Sequence, residues 1–214
     1  MSKRASLRKA ARYIFKLIFG FKLYYAAIAA EFLMDLTFAL QLDDFVDYHL
    51  YTASKSKRIA RSRLRSRLIV TAAFLSFAYL FYTRHEAVLG WYFAALSVVA
   101  ALFYPYYQRG VYRRHYQKSI TEAYQARFGK LVTLHVEPDR LWAKDEFSEE
   151  SISPAGITEL IEVPTAFYIK MPSGTALIIP KPPLPNLPEV RAKLEEIAAR
   201  FSVPYRQELN WIWK

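Results

Sequence analysis

Two adjacent apolar runs decide the architecture of this chain: "LIVTAAFLSFAYLFY" at residues 68–82 and "VLGWYFAALSVVAALFYPYY" at residues 88–107. Neither contains a charged side chain, and only "TRHEA" at residues 83–87 separates them. As a helix, the second run spans the roughly 30 Å hydrocarbon core of a bilayer. The first reaches only about 23 Å, and flanking arginines that snorkel to the interfaces can extend it. We therefore predict a two-helix transmembrane hairpin over residues 68–107. A pair of buried helices in a soluble bundle is the alternative.

A cluster of basic side chains lies immediately before the first run and carries much of the net charge of +11. Such clusters attract phosphate on nucleic acids and on lipid headgroups alike. Because this cluster is joined directly to a predicted span, it has little freedom to reach a duplex. We expect a lipid bilayer with anionic headgroups as its partner, and no nucleic acid. The predicted membrane-surface and topology residues are Lys55, Lys57, Arg58, Arg61, Arg63, Arg65 and Arg67.

The charge asymmetry also predicts an orientation. Basic residues precede the first run and follow the second, whereas the connecting loop carries a single arginine, Arg84. The positive-inside rule then places both flanks of the hairpin in the cytoplasm and the loop on the opposite side.

Residues 1–33 combine basic and apolar side chains, with Arg4, Arg8, Arg12 and Lys16 at four-residue spacing. This spacing is typical of a basic amphipathic helix on an anionic membrane surface. A second interpretation stays open: the true start is Met34, and the upstream segment is not translated. Peptides from residues 1–33 in a mass spectrum of the purified protein would exclude the second interpretation.

Residues 34–67 predict a strand followed by a juxtamembrane helix. Apolar side chains alternate with smaller or polar ones from Leu36 to Leu42, a period typical of a half-buried strand. Asp43 or Asp44 can cap the helix that follows. Because nothing in the sequence breaks this helix, we expect it to run from about Asp44 through the basic cluster into the first span.

An aromatic stripe predicts that the chain leaves the membrane as an amphipathic helix, which Gly129 can end. Its members recur every four residues, at Tyr112, Tyr116, Ile120, Tyr124 and Phe128. The apolar period then shortens, which predicts strands at residues 131–136, 140–143, 157–163, 165–171 and 175–180.

The predicted strands form two hairpins and are followed by one helix. The first hairpin turns at Glu137-Pro138-Asp139, and the second turns at residues 172–174. The helix begins at Asn186 and ends before Pro204. It carries one apolar stripe, formed by Val190, Leu194, Ile197, Ala198 and Phe201. Several strands followed by one packing helix predict an α+β domain. We expect a small antiparallel sheet closed by the C-terminal helix, as in pleckstrin-homology-like domains.

Two stretches resemble the YcxB-like proteins of bacteria. They are "LDDFVDYHLYTASKSK" at residues 42–57 and "ITELIEVPTAFYIKMPSGTALIIPK" at residues 157–181, which lie before and after the predicted spans. The resemblance runs from Asp35 to about Phe201. It implies a two-span protein of the bacterial inner membrane with a cytoplasmic pleckstrin-homology-like domain, and it transfers no site residue. The chain departs from the family at residues 182–185, where "PPLP" replaces a basic and an aromatic residue.

The sequence contains no recognisable catalytic constellation. His49, His85, His115 and His135 fall in different predicted elements without metal-ligand spacing, and the chain has no cysteine. The acidic run within residues 145–150 predicts a solvated loop, because it lacks the ligand order of a calcium loop. We therefore expect no enzyme, no metal and no cofactor.

We expect a non-enzymatic membrane protein that presents its cytoplasmic domain for protein or lipid-headgroup binding. The alternative is a small regulatory or immunity-type subunit whose spans recognise another membrane protein through small side chains. These are Ala72, Ala73, Ser76, Ala94, Ala95 and Ser97. The sequence names no protein partner and leaves a homo-oligomer open. The expected segments are residues 1–33 (amphipathic), 34–67 (strand and basic helix), 68–107 (hairpin) and 108–214 (cytoplasmic domain).

Overall fold

The computed structural model describes residues 34–137, 140–146 and 148–214. The interpretations of residues 1–33 and of the turn at Pro138-Asp139 therefore lie outside the described residues. In chain order the elements are strand β1 (Met34–Ala39), helices α1 (Leu42–Lys55), α2 (Lys57–Thr83) and α3 (Ala87–Tyr124), strands β2 (Leu131–Val136), β3 (Leu141–Lys144), β4 (Glu149–Ile152), β5 (Glu159–Glu162), β6 (Ala166–Lys170) and β7 (Ala176–Pro180), helix α4 (Leu187–Arg200) and strand β8 (Tyr205–Gln207).

Helices α2 and α3 form a closely packed hairpin, and both are long and apolar enough to cross a membrane. Near the loop, a Cβ atom added to Gly90 would lie 3.3 Å from the backbone nitrogen of Tyr82, so the two backbones nearly touch. Midway along the helices, Ser97 Oγ donates a hydrogen bond to the carbonyl of Thr71 at 3.2 Å. Small residues permit this close approach of two helices.

The chain breaks between α1 and α2 at Ser56, so the prediction of one helix from Asp44 into the first span is wrong. Ser56 has the extended conformation φ −79°, ψ 112°, and its side chain accepts a hydrogen bond from Ile59 N–H at 3.4 Å. Serine is a preferred residue at the start of a helix because it satisfies an otherwise unpaired donor. The residue that caps α1 is Gln41, and not Asp43 or Asp44 as predicted. Asp44 lies within the first turn of α1, where its side chain accepts a hydrogen bond from the N–H of Gln41 at 2.7 Å.

The strands form two four-stranded sheets, in the orders β1-β2-β3-β4 and β7-β6-β5-β8. This differs from the expected single small sheet. Strand β1 precedes the helical hairpin and β2 follows the hairpin, yet the two strands pair antiparallel. Met34 lies opposite Val136 and Ala39 opposite Leu131. Gly129, at φ +71°, donates its N–H to the carbonyl of Leu40 at 2.9 Å and joins the two flanks beside this pair. The first sheet thus includes a strand that lies outside residues 108–214.

The main core lies between the two sheets and α4. Leu36 and Phe38 of β1 contribute to it, as do Leu194 and Ile197 of α4. The stripe predicted for the final helix is confirmed, because Val190 and Ala198 are buried with them. The α+β class predicted for this part of the chain is confirmed.

Helix α1 covers the other side of the second sheet. Tyr48 and Tyr51 of α1 pack on Tyr168 of β6, with ring centroids 5.1 and 5.5 Å apart. The side of α1 that faces away from the sheet packs on the aromatic stripe of α3, because Ile120 is buried with Val46 of α1. The end of the hairpin that lies away from its loop is therefore packed directly against the α+β region.

Both predicted strand hairpins are confirmed as β2/β3 and β6/β7, and the strand predicted at residues 157–163 is β5. The prediction of a solvated loop for the acidic run within residues 145–150 is wrong for the last two residues of that run. Glu149 and Glu150 belong to β4, which pairs with β3. Tyr205 begins β8, a parallel partner of β5 that the sequence did not suggest.

Candidate functional site

Three of the seven predicted topology residues form one continuous basic surface on α2. Arg58, Arg61 and Arg65 follow one another at helical spacing and line a shallow concave surface around Ser62. All three are exposed, and they form no hydrogen bond or ion pair with the residues that the structure describes. We call this set the outer arginine face. It can accept phosphate or another oxyanion from outside the described chain.

Two others are engaged within the chain. Lys55, at the end of α1, forms an ion pair with Glu208 at 2.5 Å. Arg63 donates to the carbonyl oxygen of Lys214 at 2.6 Å, and its guanidinium lies 4.8 Å from the centre of the Trp213 ring. These side chains hold the C-terminal segment against the helices.

The remaining two lie at the ends of the cluster. Lys57 is exposed at the start of α2. Arg67 is half-buried beside a groove that Pro105 and Gln108 of α3 also line. Gln108 closes the hairpin at this level, because its side chain donates to the carbonyl of Arg63 at 3.2 Å.

The outer arginine face continues into an apolar surface that the rest of the described chain does not cover. Only 6% of the residues are buried in the most apolar stretch of α2. In the most apolar stretch of the helix that begins at Ala87, only 11% are buried. Val88, for example, is 84% exposed. Soluble monomers rarely expose contiguous apolar patches of this kind. The two helices are therefore not the buried pair of a soluble bundle within the described chain.

The C-terminal segment, residues 208–214, touches all three helices near the basic cluster. Trp211 donates from Nε1 to Ser54 Oγ at 3.1 Å, and its ring lies 5.4 Å from that of Tyr51. Trp213 donates from Nε1 to the carbonyl of Arg109 at 3.3 Å. Sequence reasoning missed this segment, although two tryptophans around one isoleucine in "WIW" are a signal of an anchoring role.

A buried carboxylate, Glu162, is the second feature that sequence reasoning missed. It is 0% exposed and accepts hydrogen bonds from Lys181 Nζ at 2.8 Å, Arg191 Nη2 at 2.6 Å and Tyr205 O–H at 2.9 Å. Burial alone would raise the pKa of Glu162, but the hydrogen bonds from Arg191, Lys181 and Tyr205 outweigh it and lower that pKa. The network joins β5, β8 and α4 to the end of β7.

The histidines lie apart from the basic cluster. His135 on β2 contacts Asp35 on β1, and its ring lies 4.8 Å from that of Trp142 on β3. His49 stacks on Tyr116 at 5.6 Å. Within residues 34–137, 140–146 and 148–214, no three His, Cys, Asp or Glu side chains form a group that could hold a metal ion.

Comparisons with models of known families, with curated proteins and with solved structures give no match. The resemblance to YcxB-like proteins therefore stays a prediction from the sequence. The features of the described chain that bear on its function are the apolar hairpin, the outer arginine face and the domain packed beside them.

Proposed function

We propose that this chain is a non-enzymatic two-span protein of the bacterial inner membrane. In this proposal α2 and α3 cross the bilayer, and the α+β region is a pleckstrin-homology-like cytoplasmic domain that binds a protein or a lipid headgroup at the membrane surface. The observation that carries the proposal is the uncovered apolar surface of two long, adjacent helices. Two sheets closed by α4 support the pleckstrin-homology-like interpretation of the domain.

The length of α3 explains how the domain would stand relative to the bilayer. Its 38 residues measure about 57 Å, whereas the hydrocarbon core is roughly 30 Å thick. The second half of α3, which packs on α1, would therefore project into the cytoplasm. Tethering to the membrane raises the local concentration of the domain there, so that weak contacts with a membrane-bound ligand become effective.

The absence of cysteine permits a direct test of the proposed topology. In His85→Cys the thiol lies in the hairpin loop, and in Ser151→Cys it lies on β4, an exposed strand of the first sheet. We expect a membrane-impermeant maleimide added to intact spheroplasts to label His85→Cys, and to label Ser151→Cys only after lysis. Labelling of both thiols in intact spheroplasts, or of neither, would contradict the proposed orientation.

The outer arginine face should determine this orientation. Each basic residue near an anionic surface contributes about 1 kcal/mol, so we expect the triple substitution Arg58→Glu, Arg61→Glu, Arg65→Glu to reduce or invert insertion. The measurement is the maleimide labelling of His85→Cys in intact spheroplasts.

A matched control makes the same charge change away from the hairpin, with Lys130→Glu, Lys144→Glu and Lys193→Glu. We expect the control to keep normal labelling of the loop thiol. Equally reduced labelling of both triple variants would show that net charge, and not the position of these arginines, sets the topology. Normal labelling of both would show that these arginines do not determine it.

The regulatory-subunit alternative retains one supporting observation. Ala72, Ala73 and Ser76 are exposed on α2, where they would permit close approach of another helix. Ser97 cannot serve this purpose, because it is buried and bonded to Thr71 within the hairpin. We expect Ala72→Leu, Ala73→Leu and Ser76→Leu together to release a membrane protein that co-purifies through the spans. Unchanged co-purification would exclude this face as its contact.

A further inference from the structure

We infer that residues 209–213 form a third contact with the bilayer, in which Ile212 inserts between the headgroups at the cytoplasmic surface. This inference rests on the proposed function, because it needs α2 and α3 to cross the membrane. It concerns a segment that neither span includes and that lies far along the sequence from both.

The segment is held to the helices at both ends. Glu208 is fixed by Lys55 and by the hydroxyl of Tyr51, which donates to Glu208 Oε1 at 3.1 Å. Trp213 lies against both α2 and α3, since its ring is 4.8 Å from the Arg63 guanidinium and 5.9 Å from the Tyr112 ring. Fixed at both ends to the helices, the segment has a defined position relative to them.

The segment lies level with the ends of the two apolar runs that are away from the loop. Arg63 precedes Arg67, the last charged residue before the first span, by one helical turn, or about 6 Å. Arg109 follows Tyr107, the last residue of the second apolar run, by about 3 Å. The headgroup layer on each side of a bilayer is about 5–8 Å thick. Trp213, which contacts both Arg63 and Arg109, therefore lies at the depth of that layer when the apolar runs fill the core.

The apolar side chains of the segment point in different directions. Trp211 turns towards α1 and Trp213 towards α2 and α3, whereas Ile212 between them is 63% exposed. Leu209 is also exposed. An exposed isoleucine between two tryptophans with a basic neighbour, Lys214, is the composition of a membrane-interface contact. The bilayer surface fits this patch because the exposed apolar side chains of α2 begin at Leu64. Leu64 is the neighbour of Arg63, which Trp213 contacts, so the patch and the apolar surface of α2 start at the same level along the hairpin.

The test uses the full chain, reconstituted in vesicles of equal parts phosphatidylcholine and phosphatidylglycerol. Single cysteines replace Ile212, Leu75 within α2, and Ser151 on β4, and each carries an environment-sensitive fluorophore. All three positions are exposed, so the label does not disturb the core. Nitroxide lipids quench the fluorophore according to depth, with the nitroxide placed at the headgroup or in the middle of the acyl chain.

We expect the label at Ile212→Cys to be quenched most by the headgroup nitroxide, that at Leu75→Cys by the acyl-chain nitroxide, and that at Ser151→Cys by neither. If the Ile212→Cys label behaves like the Ser151→Cys label while Leu75→Cys is quenched, the inference is wrong and the two-span anchor stands. A label at residue 212 that is shielded from water but not quenched would indicate a protein contact and also overturn it. If Leu75→Cys is not quenched, the anchor itself fails.

Discussion

Glu162→Ala should destabilise the α+β region by about 3–5 kcal/mol, the cost of removing one partner from a buried ion pair. The carboxylate is fully buried and satisfies Lys181, Arg191 and Tyr205 together. Without it, the ammonium group of Lys181, whose side chain is only 9% exposed, would be a buried charge without its counter-ion. We expect the urea midpoint of the detergent-solubilised chain, followed by tryptophan fluorescence, to fall sharply.

The matched control for this prediction is Glu196→Ala. Glu196 also pairs with a lysine, Lys193 at 3.2 Å, but its side chain is exposed on α4. Exposed pairs contribute about 0–1 kcal/mol, so the midpoint should barely move. If the two substitutions lower the midpoint equally, the buried network is not a main source of stability.

The same carboxylate makes stability depend on pH in a predictable direction. The pKa of Glu162 is lower in the folded protein than its ordinary value of 4.5. The folded state therefore binds this proton less readily than the unfolded chain does. The stabilisation is fully present above pH 4.5 and is lost as the pH falls through the lowered pKa. Glu162→Gln should lack this part of the acid sensitivity. An unchanged acid dependence in that variant would contradict the assignment.

The fragment 108–214 should not fold alone, although it contains most of the strands. It lacks β1 and α1, which bury Phe38 in the main core and Leu50 and Tyr51 against the second sheet and α3. Burial of one such side chain contributes about 1.5–3 kcal/mol. Losing several of them would remove most of the roughly 5–15 kcal/mol by which a domain is stable. We expect the fragment to give a narrow, unfolded amide spectrum by NMR.

A matched variant keeps those elements and removes only the apolar hairpin. Residues 34–63 are joined to residues 108–214 by a short Gly-Ser linker, which is feasible because the carbonyl of Arg63 already lies 3.2 Å from the Gln108 side chain. This variant should be soluble and give a dispersed amide spectrum. A folded fragment 108–214, with the same urea midpoint as the linked variant, would show that β1 and α1 are dispensable.

The features that the sequence predicted are those with a local periodic signal. The apolar runs of α2 and α3, the β6/β7 hairpin and the stripe of α4 each repeat over neighbouring residues, so period and turn chemistry suffice to find them. The break at Ser56 was missed because one serine within a basic, helix-compatible stretch carries little weight until its side chain is seen to cap Ile59 N–H.

The missed parts of the site depend on contacts between distant residues. Glu162 looked like a polar residue in a weak strand, and its three partners come from positions 181, 191 and 205. The division of the seven bases had the same cause. Arg63 differs from Arg61 because it lies against Tyr112 of α3 and against the C-terminal segment, which returns to it. No pattern within residues 55–67 contains that information.

The pairing of β1 with β2 across the hairpin has a consequence for biosynthesis. When Met34 to Ala39 leave the ribosome, their partners opposite, Leu131 to Val136, are not yet made. A flexible chain of that length would have to close a long loop before the strands could meet, and such closure slows folding. With the insertion proposed above, the two antiparallel helices would bring residues 63 and 108 side by side before β2 is complete. The hairpin would thus be a folding template as well as an anchor, and the order of events would be insertion first and sheet assembly second.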